Sequence, residues 1–413
     1  MSRAVGKKTD SNIRQNVGDH RVKIPPLTVS FSDEVADPSQ AVVSFKFGNG
    51  QRKNVRFSSN GTPLRRSGDA LFCLGLLPAV ELGAELIVKS AVDPQLLANA
   101  EKIQKLICSW NPNSRPVAIQ ADTESRSYPS GRCRGVFYSG GIDSSYSLAT
   151  EIDRLEKIVT IIGANSSRPD SPSSERLRQT AIGVSQRFGL DPIIIETDIR
   201  DVSDRLIGWV EYHGALLSAV RHLLSDEIEE QLIAASGDEN SYLRPWGSHP
   251  LLDPLFGTSG AKILHHGLVA RAAKFERLLD APVLLQHLQV CDRSEAGSCG
   301  RCDKCTFVLF ALDVFQVRDV PSVFAGHRPD RRRINISGPS SESDWLSLRD
   351  AALQRNRRAD LVEAIEKAAS KHQINWAWKH ALHIYTLHKA YKQFKRRRRY
   401  LADSRGPEGQ TGP

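Results

Sequence analysis

Gly135-Val136-Phe137-Tyr138-Ser139-Gly140-Gly141-Ile142-Asp143-Ser144-Ser145 runs from a short apolar stretch, through two adjacent glycines, into residues with helical spacing. Strand, turn and helix in that order make an anion site. Paired glycines let the main chain approach a charged ligand, and the amides of the turn and of the first helical turn point at it. The positive end of the helix adds a favourable potential. Ser139, Ser144 and Ser145 add hydroxyl donors. No G-x-x-x-x-G-K-[ST] pattern occurs in the chain, which excludes a kinase-type or GTPase-type phosphate loop.

Outward from this loop, the apolar runs Ile158–Ile162, Pro192–Ile195 and Leu232–Ala235 lack the alternation of half-exposed strands, as buried parallel strands should. Segments of helical spacing separate them at 143–157, 174–188 and 206–224. The repeated strand-helix pattern predicts an α/β fold, a doubly wound parallel sheet over 117–330. Upstream, 42–57 reads as a β-hairpin around Gly48-Asn49-Gly50-Gln51. A helical segment from Asp69 to Leu82, interrupted by Pro78, follows, then strand 85–88 and a helix from Asp93-Pro94 to Trp110. These predict a small N-terminal α+β unit over 41–111, closed by the Pro-rich stretch 110–116. Residues 1–40 read as a poorly ordered arm, 331–400 as a helical basic region with helical spacing over 350–370 and 376–394, and 401–413 as a disordered tail.

The chain of 413 residues is 40% hydrophobic, enough for two or three packed units. It has no apolar run of spanning length, and its N-terminus has a basic start without the apolar stretch of a secretory signal. A cytoplasmic protein is expected. The formal charge of +9 invites a nucleic-acid reading. Its distribution weakens it, because seven basic residues and no acidic one lie between Lys389 and Arg399, so the excess belongs largely to the tail. A basic tail is most often solvated.

Cys291, Cys299, Cys302 and Cys305 gather four of the seven cysteines within fifteen residues, with Gly297 and Gly300 allowing a tight wrap. Four thiolates close a tetrahedral Zn²⁺ shell with no open position, so a structural zinc knuckle is expected over 291–305. A thiol redox site is the alternative. Cys73, Cys108 and Cys133 read as ordinary small residues.

Ser139-Gly140-Gly141-Ile142-Asp143-Ser144 resembles the S-G-G-x-D-S signature of the PP-loop ATP pyrophosphatase superfamily, whose fold is of the HUP-like α/β kind. The later Cys-Gly-x-Cys-x-x-Cys at 299–305 and the order of motifs from Gly135 to Phe315 are most similar to the 7-cyano-7-deazaguanine synthase family. The segment Leu243–Leu255 departs from that family's substrate loop, and Thr306-Phe307 stands where it usually has Leu-Arg. The resemblance therefore implies ATP, Mg²⁺ and Zn²⁺ and an adenylation step, and not the deazaguanine substrate. In such a step the loop holds the β,γ-pyrophosphate while a substrate oxygen attacks the α-phosphorus.

The resemblance gives Ser139, Gly140, Gly141, Ile142, Asp143, Ser144 and Ser145 to the pyrophosphate, with Asp143 assisting Mg²⁺ and Lys262 stabilising leaving charge. Loops after parallel strands place Asp198 and Ser236 toward the nucleotide or substrate. Arg271 and Lys274, one turn apart, could assist at the phosphates or form surface pairs with Glu276 or Asp280. The 243–255 segment carries Arg, Trp, His and Asp among prolines and glycines, which suggests substrate recognition, with His249 as a proton donor or acceptor. The expected activity is a ligase that adenylates an oxygen, a carboxylate by preference, of a small substrate for attack by nitrogen. A partner would supply any glutamine-derived ammonia, and a homo-oligomer stays open. The alternatives are a tRNA-modifying sulfurtransferase, which the basic tail and cysteines would suit, and a non-catalytic nucleotide-binding protein.

Overall fold

A computed structural model describes residues 24–164, 168–291, 293–295 and 297–405. The end of the expected disordered tail, 406–413, lies outside the described residues, as does the arm up to residue 23. In chain order the elements are β1 (Leu27–Phe31), β2 (Gln40–Lys46), β3 (Arg52–Ser59), α1 (Gly68–Leu82), β4 (Leu86–Val88), α2 (Pro94–Trp110) and β5 (Ile119–Gln120). There follow β6 (Cys133–Phe137), α3 (Ile142–Glu151), β7 (Lys157–Ile162), α4 (Pro172–Phe188), β8 (Asp191–Thr197), α5 (Arg200–Leu206), α6 (Trp209–Leu223), β9 (Ile228–Ala234) and β10 (Lys262–His266). The chain ends in helices: α7 (Arg271–Arg277), α8 (Pro282–Gln286), α9 (Asp303–Val314), α10 (Pro339–Gln354), α11 (Ala359–Ala381) and α12 (Ile384–Asp403).

The ten strands among the described residues form one sheet, ordered β10-β9-β6-β7-β8-β3-β2-β1-β4-β5, and most of the pairings are parallel. The five strands from β6 to β10 stand in the order of appearance 3-2-1-4-5. The chain reverses its direction of travel between β6 and β9, and a crevice opens beyond the carboxyl ends of those two strands. Alternate residues explain the unbroken apolar runs. Val136, Ile158, Ile194 and Leu232 enter the core beneath α4, α7 and α9, whereas Phe137, Val159, Ile195 and Ile233 enter the core beneath α1 and α6.

Residues 41–111, expected as a unit of their own, share one sheet with the α/β region. β3 pairs antiparallel with β8, joining both halves in one sheet. Asn60 fastens the seam: its side chain donates to Pro192 O at 2.9 Å and accepts from Ile194 N at 3.0 Å. The loose arm expected over 1–40 gives way at Leu27, since β1 lies between β2 and β4 with Leu27 and Val29 fully buried. Its five residues are too few for the alternation to stand out in a polar surrounding.

Pro78 does not interrupt α1, which is continuous and buried throughout. Proline removes the donor that would bond the carbonyl four residues back. That carbonyl, Leu74 O, instead accepts from Tyr212 Oη of α6 at 3.1 Å. The C-terminal breaks also differ from the sequence reading: Asn356, Arg358 and His383 adopt φ between 51° and 52°, ending α10, preceding α11 and separating α11 from α12. The helix α12 is not simply solvated. Tyr400 is buried and donates to Pro26 O at 2.8 Å, and Arg396 pairs with Glu81 at 2.7 Å. Helix continues through Asp403, inside the tail expected to be disordered.

Candidate functional site

The two-glycine turn connects β6 to α3 at the point where the sheet reverses. Gly141 is the N-cap of α3, so the amides of its first turn face outward without a side-chain cap. Gly140 has φ 71°, a left-handed conformation that a Cβ would strain. A Cβ there would also lie 3.1 Å from Gln289 Cβ, and Gln289 N donates to Gly140 O at 2.7 Å. The serines tie the turn: Ser139 N donates to Ser144 Oγ at 3.2 Å, and Ser144 Oγ donates to Gly141 O at the same distance. Ser139 is exposed, whereas Ser145 is fully buried and faces the core, against its expected place among the ligand donors. Ile142 is buried in the core beneath the turn and also borders the hollow there.

Asp143 meets two cations. Its Oδ1 accepts from Lys274 Nζ at 2.9 Å and its Oδ2 from Arg271 at 3.0 Å. Lys274 is almost fully buried and also donates to Ala235 O at 2.5 Å, at the end of β9. Arg271 reaches Ser236 O at 3.2 Å and, through its other terminal nitrogen, Asp344 of α10 at 2.8 Å. Burial opposes the charge on Asp143, but Arg271 and then Lys274 outweigh it and hold the carboxyl below its usual range. These cations are therefore not the surface partners of Glu276 or Asp280. A hollow of about 170 Å³ is lined by Ser139, Gly141, Asp143, Arg271, Gln289 and Lys304, among others. A larger cavity of about 440 Å³ opens between α7, α10 and the stretch after β9, where Asp238, Arg244 and Ser343 contribute to its wall.

Burial pushes the Asp344 carboxyl up to about 6; Arg271 opposes this and Asp143 adds to it. A carboxyl raised above its unfolded value stabilises the fold fully below the unfolded pKa, and this contribution is lost as pH rises through about 6. Relative to Asp344→Asn, the native protein should therefore gain about 1 kcal/mol of stability on going from about pH 7 to about pH 5. Urea midpoints of both proteins at the two pH values measure this, and parallel midpoints would refute the coupling.

Other expected site residues lie elsewhere. Lys262 begins β10, in register with Glu230, and is about half exposed beside Glu229 at 3.3 Å. Because β10 runs parallel to β9 and β6, Lys262 sits at the end of the sheet remote from the glycine turn rather than beside it. Lys274 and Arg271 are instead the cations beside the turn, through Asp143. His249 is buried with its ring 4.7 Å from Trp110, and its Nδ1 accepts from Leu251 N at 3.0 Å. Its backbone N donates to the buried Asp253, which also accepts from Ser248 Oγ at 2.6 Å and pairs with His265 at 2.8 Å. His265 and His266 point to opposite faces of β10, and His266 is the one that meets Ser147 of α3, at 2.9 Å. His249 thus belongs to the face of the sheet away from α3 and braces a loop. Burial pushes its pKa down, and His265 adds to this. Of the 243–255 segment, Arg244 reaches the large cavity. Asp198 is exposed and accepts from Arg56 N at 2.8 Å, in the seam between β3 and β8 rather than at the turn. Ser236 does adjoin the cluster, through its carbonyl.

Cys291, Cys299, Cys302 and Cys305 bring their Sγ atoms within 4.8 Å of one another. Four sulfurs about 2.3 Å from one tetrahedral ion stand about 3.8 Å apart, so the set is compatible with zinc. Backbone amides point at the sulfurs: Cys302 N to Cys299 Sγ at 3.3 Å and Arg293 N to Cys291 Sγ at 3.4 Å. Ser298 Oγ donates to Cys305 Sγ at 3.4 Å. Cys302 caps α9, whose positive end favours thiolates at Cys302 and Cys305. The wrap turns at Gly300, with φ 63°, where a Cβ would collide with the His327 ring. Phe307 and Lys304, on the helix that carries Cys305, also line the small hollow, so the cluster supports one wall of it.

The chain matches no protein-family model and no curated protein. No helix among the described residues is long and apolar enough to cross a membrane.

Proposed function

We propose that this chain is an ATP-dependent ligase of the PP-loop type, forming AMP and pyrophosphate as it adenylates an oxygen, a carboxylate by preference, of a small substrate. One observation supports this above the others: a two-glycine turn at the reversal point of a 3-2-1-4-5 sheet, faced by Arg271 and Lys274 through Asp143. The exposed Ser139 hydroxyl and the free amides of α3 would receive the β and γ phosphates. Arg271 and Lys274 would then stabilise the negative charge that grows on the departing pyrophosphate. The substrate oxygen forms its bond to the α-phosphorus as the bond to the bridging oxygen breaks. A nitrogen nucleophile then attacks the activated carbon and AMP leaves. The 440 Å³ cavity bordered by Arg244 and Ser343 is the natural place for that substrate.

Mg²⁺ would offset phosphate charge, and Asp143 could ligate it once Arg271 or Lys274 turns toward the nucleotide, since both its oxygens are engaged without one. The closed set of four cysteines suits a structural zinc, which would brace α9, better than the sulfur relay of a sulfurtransferase.

Incubation with ATP, Mg²⁺ and a panel of carboxylates should release AMP and pyrophosphate in equal amounts. Lys274→Ala should lower turnover by roughly 100-fold, as loss of a charge-stabilising donor does, while Lys262→Ala leaves it unchanged. ADP as the main product would overturn the adenylation reading.

A further inference from the structure

The helix α12 carries two unlike stripes. Lys389, Gln393, Arg396, Arg397 and Tyr400 lie on the side that docks on the body of the protein, where Gln393 donates to Glu81 O at 2.9 Å and Arg397 to the same carbonyl at 3.2 Å. Ile384, Leu387, Tyr391 and Phe394 recur three and four residues apart, so they share the opposite side. That outer stripe faces solvent: Leu387 is 65% and Phe394 60% exposed. Tyr391, at 58%, is equally open to solvent. Isolated exposed apolar residues need no explanation, but a contiguous stripe on one helix does.

Charge identifies the occupant. Lys392, Lys395, Arg398 and Arg399 occupy the helix beside this stripe or within it, and the segment 384–403 contains one acidic residue, Asp403, which pairs with Arg205 at 2.9 Å. A second copy of the stripe would bring like charges together. Single-stranded RNA would use the aromatic rings and the cations, but Ile384 and Leu387 would gain nothing from stacked bases. An apolar stripe with aromatic members, flanked by lysine and arginine and open to solvent, has the chemistry of a helix lying in the interface of an anionic lipid bilayer. We infer that the outer face of α12 docks the protein peripherally on a negatively charged lipid surface. The inward stripe fixes the helix to the body, so the apolar side is presented ready for insertion rather than folded away.

Co-sedimentation of the full chain with phosphatidylserine–phosphatidylcholine vesicles tests this, with phosphatidylcholine vesicles alone as the comparison. Binding is expected to the mixed vesicles, weak to phosphatidylcholine alone, and reduced by high salt. Each basic side chain should be worth about fivefold in partitioning, so Lys392→Ala/Lys395→Ala/Arg398→Ala should weaken it by roughly 100-fold. Leu387→Glu and Phe394→Glu should each abolish it with no loss of thermal stability, because both side chains are exposed. No binding to the mixed vesicles overturns the inference. So does binding that survives both glutamate variants, which would leave a purely electrostatic tail. A stable dimer that Leu387→Glu dissociates, without vesicle binding, would assign the stripe to a second copy. Uptake of single-stranded RNA lost in Phe394→Glu, again without vesicle binding, would assign it to nucleic acid.

Discussion

Asp143→Asn should destabilise the protein by about 3 kcal/mol and lower ATP turnover by roughly 100-fold. The stability loss arises at Lys274, an almost fully buried ammonium that keeps the carbonyls of Ala235 and Gly237 but loses its counter-charge. Removing one partner of a buried pair usually costs about 3 to 5 kcal/mol, and the retained carbonyls place this case at the lower end. Asp143→Asn/Lys274→Met removes both charges. It should recover much of the stability, because an apolar side chain then fills the space without an unpaired ion. It should not recover turnover, since the cation assigned to the pyrophosphate is gone. Denaturant unfolding and pyrophosphate release on the two variants separate these effects. Full turnover in Asp143→Asn would remove that residue from the reaction, and an additive loss of stability in the double variant would remove the pair from the fold.

Cys302→Ser should prevent the cluster from holding zinc and lower stability by several kcal/mol, an effect on the order of that expected for a structural zinc. Cys302 is both a member of the cluster and the N-cap of α9, a helix buried along most of its length against α10 and the sheet. Its loss should therefore loosen the wall of the small hollow as well as the knuckle. Metal analysis of the purified protein and its unfolding in chelator provide the measurement. One zinc per chain in the native protein and none in the variant is the expected result. Native protein without zinc, or with all four thiols freely reactive, would refute the assignment.

The strand-turn-helix at 135–145 was legible because its signal is local: an apolar strand, two glycines and a helix start lie within eleven residues. The cysteine cluster was legible for the same reason, since short spacing brings the thiols together whatever the rest of the chain does. Buried parallel strands also announced themselves, because a strand covered on both faces must be apolar at successive positions. Lys262 and Lys274 show where that legibility ends. Both are lysines near an element start, and only the parallel direction of β10 places one at the far end of the sheet and the other beneath Asp143. Asp344 carries no local mark at all. It reaches Arg271 because α10 folds back over α7 from some seventy residues away, and long-range packing of that kind leaves no period or spacing in the sequence. The seam between β3 and β8 is decided in the same way: strand pairing across more than a hundred residues is fixed by which edges the helices leave uncovered, so the sequence by itself determined the two halves, and only the tertiary structure made them one sheet.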